Sequence, residues 1–269
     1  MLQITSARNP RILAALELAK PRERERRGVF AVEGVREIGR ALAAGLRPVE
    51  AFWLADRELA PEAADLAVRL RTERGLVYAE VSRPVLDRLV VREGSDGLYV
   101  IFARPPALGL DDLDLPAAPL LLGVQGVEKP GNLGALLRVA DGAGVHAVVV
   151  LDGTADPTNP NAIRASLGTV FALPIVSAGS ADFRAWCGAN HIGVYAAALS
   201  DRAIPYAAAH YRAGAAILLG SEAHGLDGYW LEAADAVVRI PMAGIADSLN
   251  VATAGAVLLY EAVRQRDDQ

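Results

Sequence analysis

Short apolar runs recur along the rear half of this chain, each followed by a helical pattern, and that alternation constrains the fold more than any other feature. Leu120–Gln125, Ala147–Leu151, Phe171–Val176, Ile192–Ala198, Ala215–Gly220 and Ala236–Ile240 read as strands. Most are near-continuous apolar stretches, as expected of parallel strands buried on both faces. Helices are predicted over Leu133–Gly142, Ile163–Leu167, Ala181–Ala189, Gly228–Ala233 and Leu249–Arg266. The implied architecture is an open, mostly parallel α/β sheet, which places ligands at the carboxyl ends of its strands.

The front half alternates as well. An apolar helical pattern (Ile12, Leu13, Leu16, Leu18) passes into an Arg-rich stretch from Arg22 to Arg27. Glu23 and Glu25 alternate with its arginines, so this stretch reads equally as a solvated helix face. Strands follow at Val29–Val32, Ala51–Leu54, Val77–Val81 and Leu98–Ala103, and helices at Val35–Ala44, Pro61–Arg74 and Pro84–Val90. That is an α/β sandwich of about 100 residues. Between the halves lies RPPALGLDDLDLPAAP, with prolines at 105, 106, 116 and 119 and three aspartates. A stretch so rich in Pro and charge is not expected to pack as an element. The predicted organisation is a smaller domain over residues 1–105, a linker over 106–118 and a larger domain over 119–269.

Composition excludes several classes. No run of about 18 uncharged apolar residues exists, so no membrane span is expected. The N-terminal MLQITSARNPRIL has no apolar signal core and reads as cytoplasmic protein. Cys187 stands alone and the four histidines are scattered, so neither disulfides nor a metal site are expected. The net charge of −5 hides an asymmetry: residues 1–110 carry 18 Lys+Arg against 15 Asp+Glu, and residues 111–269 carry 9 against 17. A mildly basic front half suits a polyanion, while the acidic rear half has no long-range pull on one. Drift in surface charge gives the same numbers.

Three segments put small, polar or charged residues at the end of a buried strand. In GVQGVEKPGNLGALLRVADGAG a strand ends at Gln125, a Gly/Pro-rich loop leads to Asn132 as N-cap, and the helix carries Arg138 about two turns in. A helix N-terminus suits an anion such as an RNA phosphate. Arg138 reads equally as a surface residue paired with Asp141 at i+3. Neither a dinucleotide fingerprint nor a P-loop is present, which disfavours a nucleotide-binding oxidoreductase. In AAILLGSEAHGL the strand stops at Gly220, where backbone approaches a ligand closely, and Glu222 either acts in a site or caps the next helix. His224 beside a glycine reads as incidental. In IPMAGIADSLNVATAGAVLLYEA, Ser248 reads as the N-cap of the last helix, and Asn250 is an amide that needs partners. Ala252, Ala254, Gly255 and Ala256 allow close approach of a neighbouring segment or a second subunit.

In this order, PGNLGALLRVADGAG, LLGSEAHGL and IPMAGIADSLNVATAGAVLLYEA resemble the SpoU branch of the SPOUT methyltransferases, which methylate ribose 2'-hydroxyls in tRNA and ribosomal RNA. DPTNPNAIRASLGTVFALPI looks like that family's linking segment. The front half, with NPRI and RERERRGVFAVEG, is similar to the ribosomal-protein-like substrate-binding domain found ahead of such catalytic domains.

The resemblance implies a trefoil-knotted C-terminal domain with S-adenosylmethionine held in the knot by Gly220, Ile240, Met242, Leu249 and Leu199. It implies Asn132, Arg138, Glu222, Ser248 and Asn250 as the polar active-site set, a homodimer whose sites draw on both subunits, and Arg138 as the base that takes the ribose proton. That last role is physically demanding, since an arginine pKa lies above about 12, and a phosphate clamp is the alternative. The separate front domain favours 23S rRNA over tRNA. A non-catalytic RNA-binding scaffold is the competing reading. With only Lys20 and Lys129 as lysines, RNA contacts lean on arginine.

Overall fold

The structure is a computed structural model that describes residues 2–55, 58–90, 95–153 and 155–267. In chain order it begins β1 (Leu2–Ile4), α1 (Pro10–Leu16), α2 (Pro21–Arg27), β2 (Val29–Glu33), α3 (Val35–Ala43) and β3 (Pro48–Trp53). Next come α4 (Pro61–Arg71), β4 (Val77–Val81), α5 (Arg83–Leu89), β5 (Leu98–Ala103), β6 (Leu120–Gln125), α6 (Pro130–Gly142) and β7 (Ala147–Leu151). The rest is α7 (Pro160–Ala165), β8 (Ile175–Ala178), α8 (Ser180–Ala189), β9 (Gly193–Ala197), β10 (Ile204–Pro205), β11 (Ala215–Leu219), α9 (Gly228–Ala233), β12 (Ala236–Arg239) and α10 (Val251–Asp267). These elements form two compact units: Met1–Pro106 with Asp156–Ala172, and Ala107–Ala155 with Leu173–Gln269.

In the first unit a mixed sheet runs β1-β4-β3-β5-β2, with β1, β4 and β3 parallel and β5 antiparallel to both its neighbours. Ile4, Ile12, Leu18, Phe52, Leu54, Val81, Leu86 and Ile101 are among its core residues. Proline opens α1, α2 and α4, where a missing N–H costs nothing. Strand β1 was not expected: it spans three residues, buries only Ile4, and is too short to show a period. The Arg-rich stretch is solvated at Arg22, Glu25 and Arg26 but not at Arg24. Arg24 is 1% exposed, donating to the Asp156 carboxylate and to the carbonyls of Leu18 (2.7 Å) and Ala19 (2.9 Å). Arg26 pairs with Glu23 and Arg27 donates to the Ala14 carbonyl. Charge alternation cannot show this, because the carboxylate that holds Arg24 lies 132 residues away.

In the second unit seven strands are all parallel in the order β10-β12-β9-β11-β6-β7-β8. β7 and β11 are buried at every position, as near-continuous apolar runs require. Gly255 brings α10 against α6 and β11: a Cβ there would lie 2.6 Å from Leu136 and 3.0 Å from Leu219. At this glycine the close approach is therefore within the chain.

The strand expected over Phe171–Val176 is divided. Thr169–Phe171 forms a 3-10 turn in the first unit, where Phe171 stacks on Phe30 at 5.9 Å, and β8 starts only at Ile175. Pro174 has no N–H to give the ladder, so its carbonyl alone bonds, accepting from Val148 at 2.9 Å. One apolar run thus serves two cores. The 106–118 stretch also packs, against the expectation from its composition. Leu110, Leu113 and Leu115 lie against the second unit's core, and Asp112 accepts from the Gly109 N–H at 2.8 Å. Its leucines alternate with the prolines and aspartates closely enough to bury one face.

Candidate active site

Strands β9, β11 and β12 are neighbours in the sheet, and the loops leaving their carboxyl ends enclose a cleft of about 630 Å³. All five residues expected to hold a cofactor line it: Leu199 beyond β9, Gly220 beyond β11, Ile240 and Met242 beyond β12, and Leu249 before α10. Leu199 is 66% exposed. Gly220 is required by the loop itself. Ser221 and Gly225 exchange backbone hydrogen bonds of 3.0 and 2.9 Å, and a Cβ on Gly220 would fall 2.0 Å from the Gly225 carbonyl carbon.

A polar cluster sits at the rim of this cleft. Glu222 Oε1 accepts from Asn132 Nδ2 and from Asn250 Nδ2 (3.1 Å), while its Oε2 accepts from Lys129 Nζ at 2.6 Å. Asn250 Nδ2 also reaches Asn132 Oδ1 at 3.3 Å. The Lys129 ammonium, with help from Asn132, holds the Glu222 carboxyl below the usual glutamate range against the opposing effect of burial. Glu222, Ser248 and Asn250 line the cleft, as do His224 and Asp247.

Several local expectations change. Helix α6 begins at Pro130 with Lys129 at its cap, so Asn132 lies in the first turn rather than capping it. Asn250, not Ser248, caps α10, its Oδ1 accepting from the Ala252 N–H at 3.0 Å. Ser248 is exposed and has no hydrogen-bond partner among the described residues. Asp227, not Glu222, caps α9. Arg138 is exposed, lies outside the cleft and pairs with no carboxylate among the described residues, Asp141 included. The structure thus brings Asn132, Glu222 and Asn250 together and leaves Arg138 apart.

Lys129 joins the cluster and was missed. Its signal was its place: the one lysine of the rear half, standing where a helix prefers Ser, Thr, Asp or Asn. Gln125 also has an unanticipated role. Its amide nitrogen, Nε2, donates to Asp152 and Asp227 (both 2.8 Å) and its Oε1 accepts from the Asp227 N–H at 3.0 Å. That amide ties the ends of β6 and β7 to the loop that carries Glu222.

Chemically, the cleft has apolar walls from Leu199, Leu226, Leu231, Val238 and Ile240, and two carboxylates but no Lys or Arg among its lining residues. Over residues 242–249 no backbone group is hydrogen-bonded to another among the described residues, so these peptide groups are available to a ligand. The arrangement suits a ligand with an apolar body and polar groups that reach the backbone.

The SpoU rRNA Methylase family matches residues 119–260, and the MRM3-like substrate binding domain matches residues 9–99. This chain belongs to the SpoU rRNA methylase family. A 23S rRNA (guanosine(2553)-2'-O)-methyltransferase, RlmP, of Bacillus subtilis is 31% identical over 97% of this chain and 98% of its own. The crystal structure of an RNA 2'-O ribose methyltransferase is 40% identical, with a TM-score of 0.86 over 98% of this chain and 99% of the other. An AdoMet-bound rRNA methyltransferase from Sinorhizobium meliloti is 30% identical, with a TM-score of 0.88 over 97% of each chain. The α/β class expected for both halves, and the family that the three motifs pointed to, are borne out.

Proposed function

We propose that this chain transfers the methyl group of S-adenosylmethionine to a ribose 2'-hydroxyl of 23S rRNA. The observation that carries the reading is the hydrogen-bonded set of Asn132, Glu222 and Asn250 at the rim of the cleft. The names of its relatives support the substrate and the cofactor: RlmP acts on 23S rRNA and the Sinorhizobium protein binds AdoMet.

S-adenosylmethionine, when bound, supplies a methyl group activated by its sulfonium charge. Gly220, Ile240, Met242, Leu249 and Leu199 would hold it, in a cleft that offers apolar walls and peptide groups over 242–249 without backbone partners among the described residues. Asp247 favours a positive centre in the cleft, where the Glu222 carboxylate is already paired with Lys129. Asn132, Ser248 and Asn250 orient the target ribose, and positioning of that kind supplies much of the barrier reduction in an in-line transfer. Arg138 clamps the neighbouring phosphate, for which its planar fork of donors is suited. A guanidinium keeps its protons near neutrality and makes a poor base, so the ribose proton leaves to phosphate or solvent.

Residues 1–105 serve as the RNA-holding domain, joined through 106–118 to a methyltransferase domain over 119–269. Arg24, Arg26 and Arg27 are already engaged within the fold, so phosphate contacts there fall to free arginines such as Arg22 and Arg36. The working form is a cytoplasmic homodimer. Exposed Leu199, Ile245 and Leu249 support a covering subunit, and Arg138, apart from its own chain's cluster, supports a site drawn from both. Among the described residues no helix is long and apolar enough to cross a membrane.

The test is incubation with tritiated S-adenosylmethionine and, separately, unmodified 23S rRNA, 16S rRNA and tRNA. Label in 23S rRNA is expected. Label confined to tRNA would overturn the substrate, and no label with no cofactor binding would leave a scaffold.

A further inference from the structure

Lys129 breaks two local rules at once. It occupies the cap position of α6, at φ −74° and ψ 117°, with no side-chain capping bond, where Ser, Thr, Asp or Asn is preferred. It also sets a cation at the positive end of a helix dipole. Its side chain is 75% exposed and pairs with Glu222, and an exposed pair of this kind adds little to stability. Lys20 stands at the cap of α2 in the same way, before a proline and paired with Glu17, so the cap alone marks nothing; Lys129 differs in that its carboxylate partner also holds two amides of the site.

The chemistry of the pair accounts for the residue type. Of the nine basic residues in 111–269, eight are arginine. An arginine fork tends to take both oxygens of a carboxylate, whereas an ammonium is a point charge that takes one. Lys129 binds Oε2 alone, which leaves Oε1 for the two asparagine amides. Glu222 is otherwise faced by Asn132 from α6 and Asn250 from the start of α10, with His224 on its own loop and Asp247 before α10 lining the same cleft. Lys129 is its ion-pair partner among the described residues.

We infer that Lys129 is a positioning residue for methyl transfer: its ammonium pins one oxygen of Glu222 so that the other holds Asn132 and Asn250 in the arrangement that receives the target ribose. The inference rests on the function proposed above and deepens it. The experiment compares the full-length protein with Lys129→Met, Glu222→Gln and the double variant. It reads kcat and the KM for 23S rRNA across pH, together with the titration of the Glu222 carboxyl by carbon NMR without RNA. Lys129→Met should lower kcat by on the order of tenfold to a hundredfold with little change in KM. The Glu222 titration and the acidic limb of kcat should both move to higher pH. Because Lys129 acts through Glu222, the double variant should be no slower than Glu222→Gln alone. An unchanged kcat, a rise in KM alone, or additive losses in the double variant would overturn the assignment. A shifted Glu222 titration in a protein whose unmutated form methylates no RNA would overturn the parent reading and leave the ion pair standing.

Discussion

At the scale of single residues, the site divides into groups that hold one another and groups that wait for substrate. Asn132, Glu222 and Asn250 are tied by hydrogen bonds, while Arg138 and Ser248 have no partner among the described residues. A group kept in the fold without an internal partner is the one whose loss harms the reaction and not the structure. Arg138→Ala is therefore expected to lower turnover by at least about a hundredfold, in line with the loss of a clamp that positions a reacting group. Its affinity for S-adenosylmethionine by calorimetry should be nearly unchanged; loss of that binding would remove Arg138 from the RNA side of the site. Gly220 behaves oppositely. A methyl group there would meet the Gly225 carbonyl carbon at 2.0 Å, so Gly220→Ala must displace the loop that carries Glu222. Calorimetry should show cofactor affinity falling in this variant, and unaltered affinity would mean the loop does not bound the cofactor site.

At the scale of elements, the segment around α7 is the part least predictable from its own residues. Asp156 holds the buried Arg24, and Phe171 stacks on Phe30. Burial pushes the Asp156 carboxyl up, but the Thr158 hydroxyl and the Arg24 guanidinium outweigh it and hold the group below the usual range. A carboxyl depressed in the folded state contributes stability above its unfolded pKa of about 3.9 and loses it as pH falls through the folded value. Denaturant midpoints should accordingly drop below about pH 4. Asp156→Asn should remove that part of the acid sensitivity and cost about 3 kcal/mol at pH 7, since it leaves a buried guanidinium without its counter-charge. A loss at pH 7 under about 0.5 kcal/mol, the scale of ordinary surface substitutions, would mean the pair is not buried in solution. In the second unit, Gly255→Val should force α10 from α6 and β11, costing about 1–3 kcal/mol by overpacking, and thermal melts would show it.

At the scale of the whole molecule, legibility followed the range of the interactions. β6, β7 and β11 were readable almost to the residue because a strand buried on both faces must be apolar throughout. Gly220, Ile240, Met242 and Leu249 were readable because motif order carried them, and Leu199 only from its place after a strand; all five lie beyond a strand end or ahead of α10. Capping was not: Ser248 and Asn132 looked like N-caps by type, and only the backbone path shows that Asn250 and Lys129 stand there. Nor was the burial of Arg24, or the splitting of the Phe171–Val176 run between two cores, because each depends on partners far away in sequence. The central claim is chemical, and the product tests it most directly. Unmodified 23S rRNA should be treated with the enzyme and S-adenosylmethionine, digested to nucleosides and analysed by mass spectrometry. The account predicts one new nucleoside whose added methyl stays with the ribose fragment; a methyl that stays with the base fragment would contradict it.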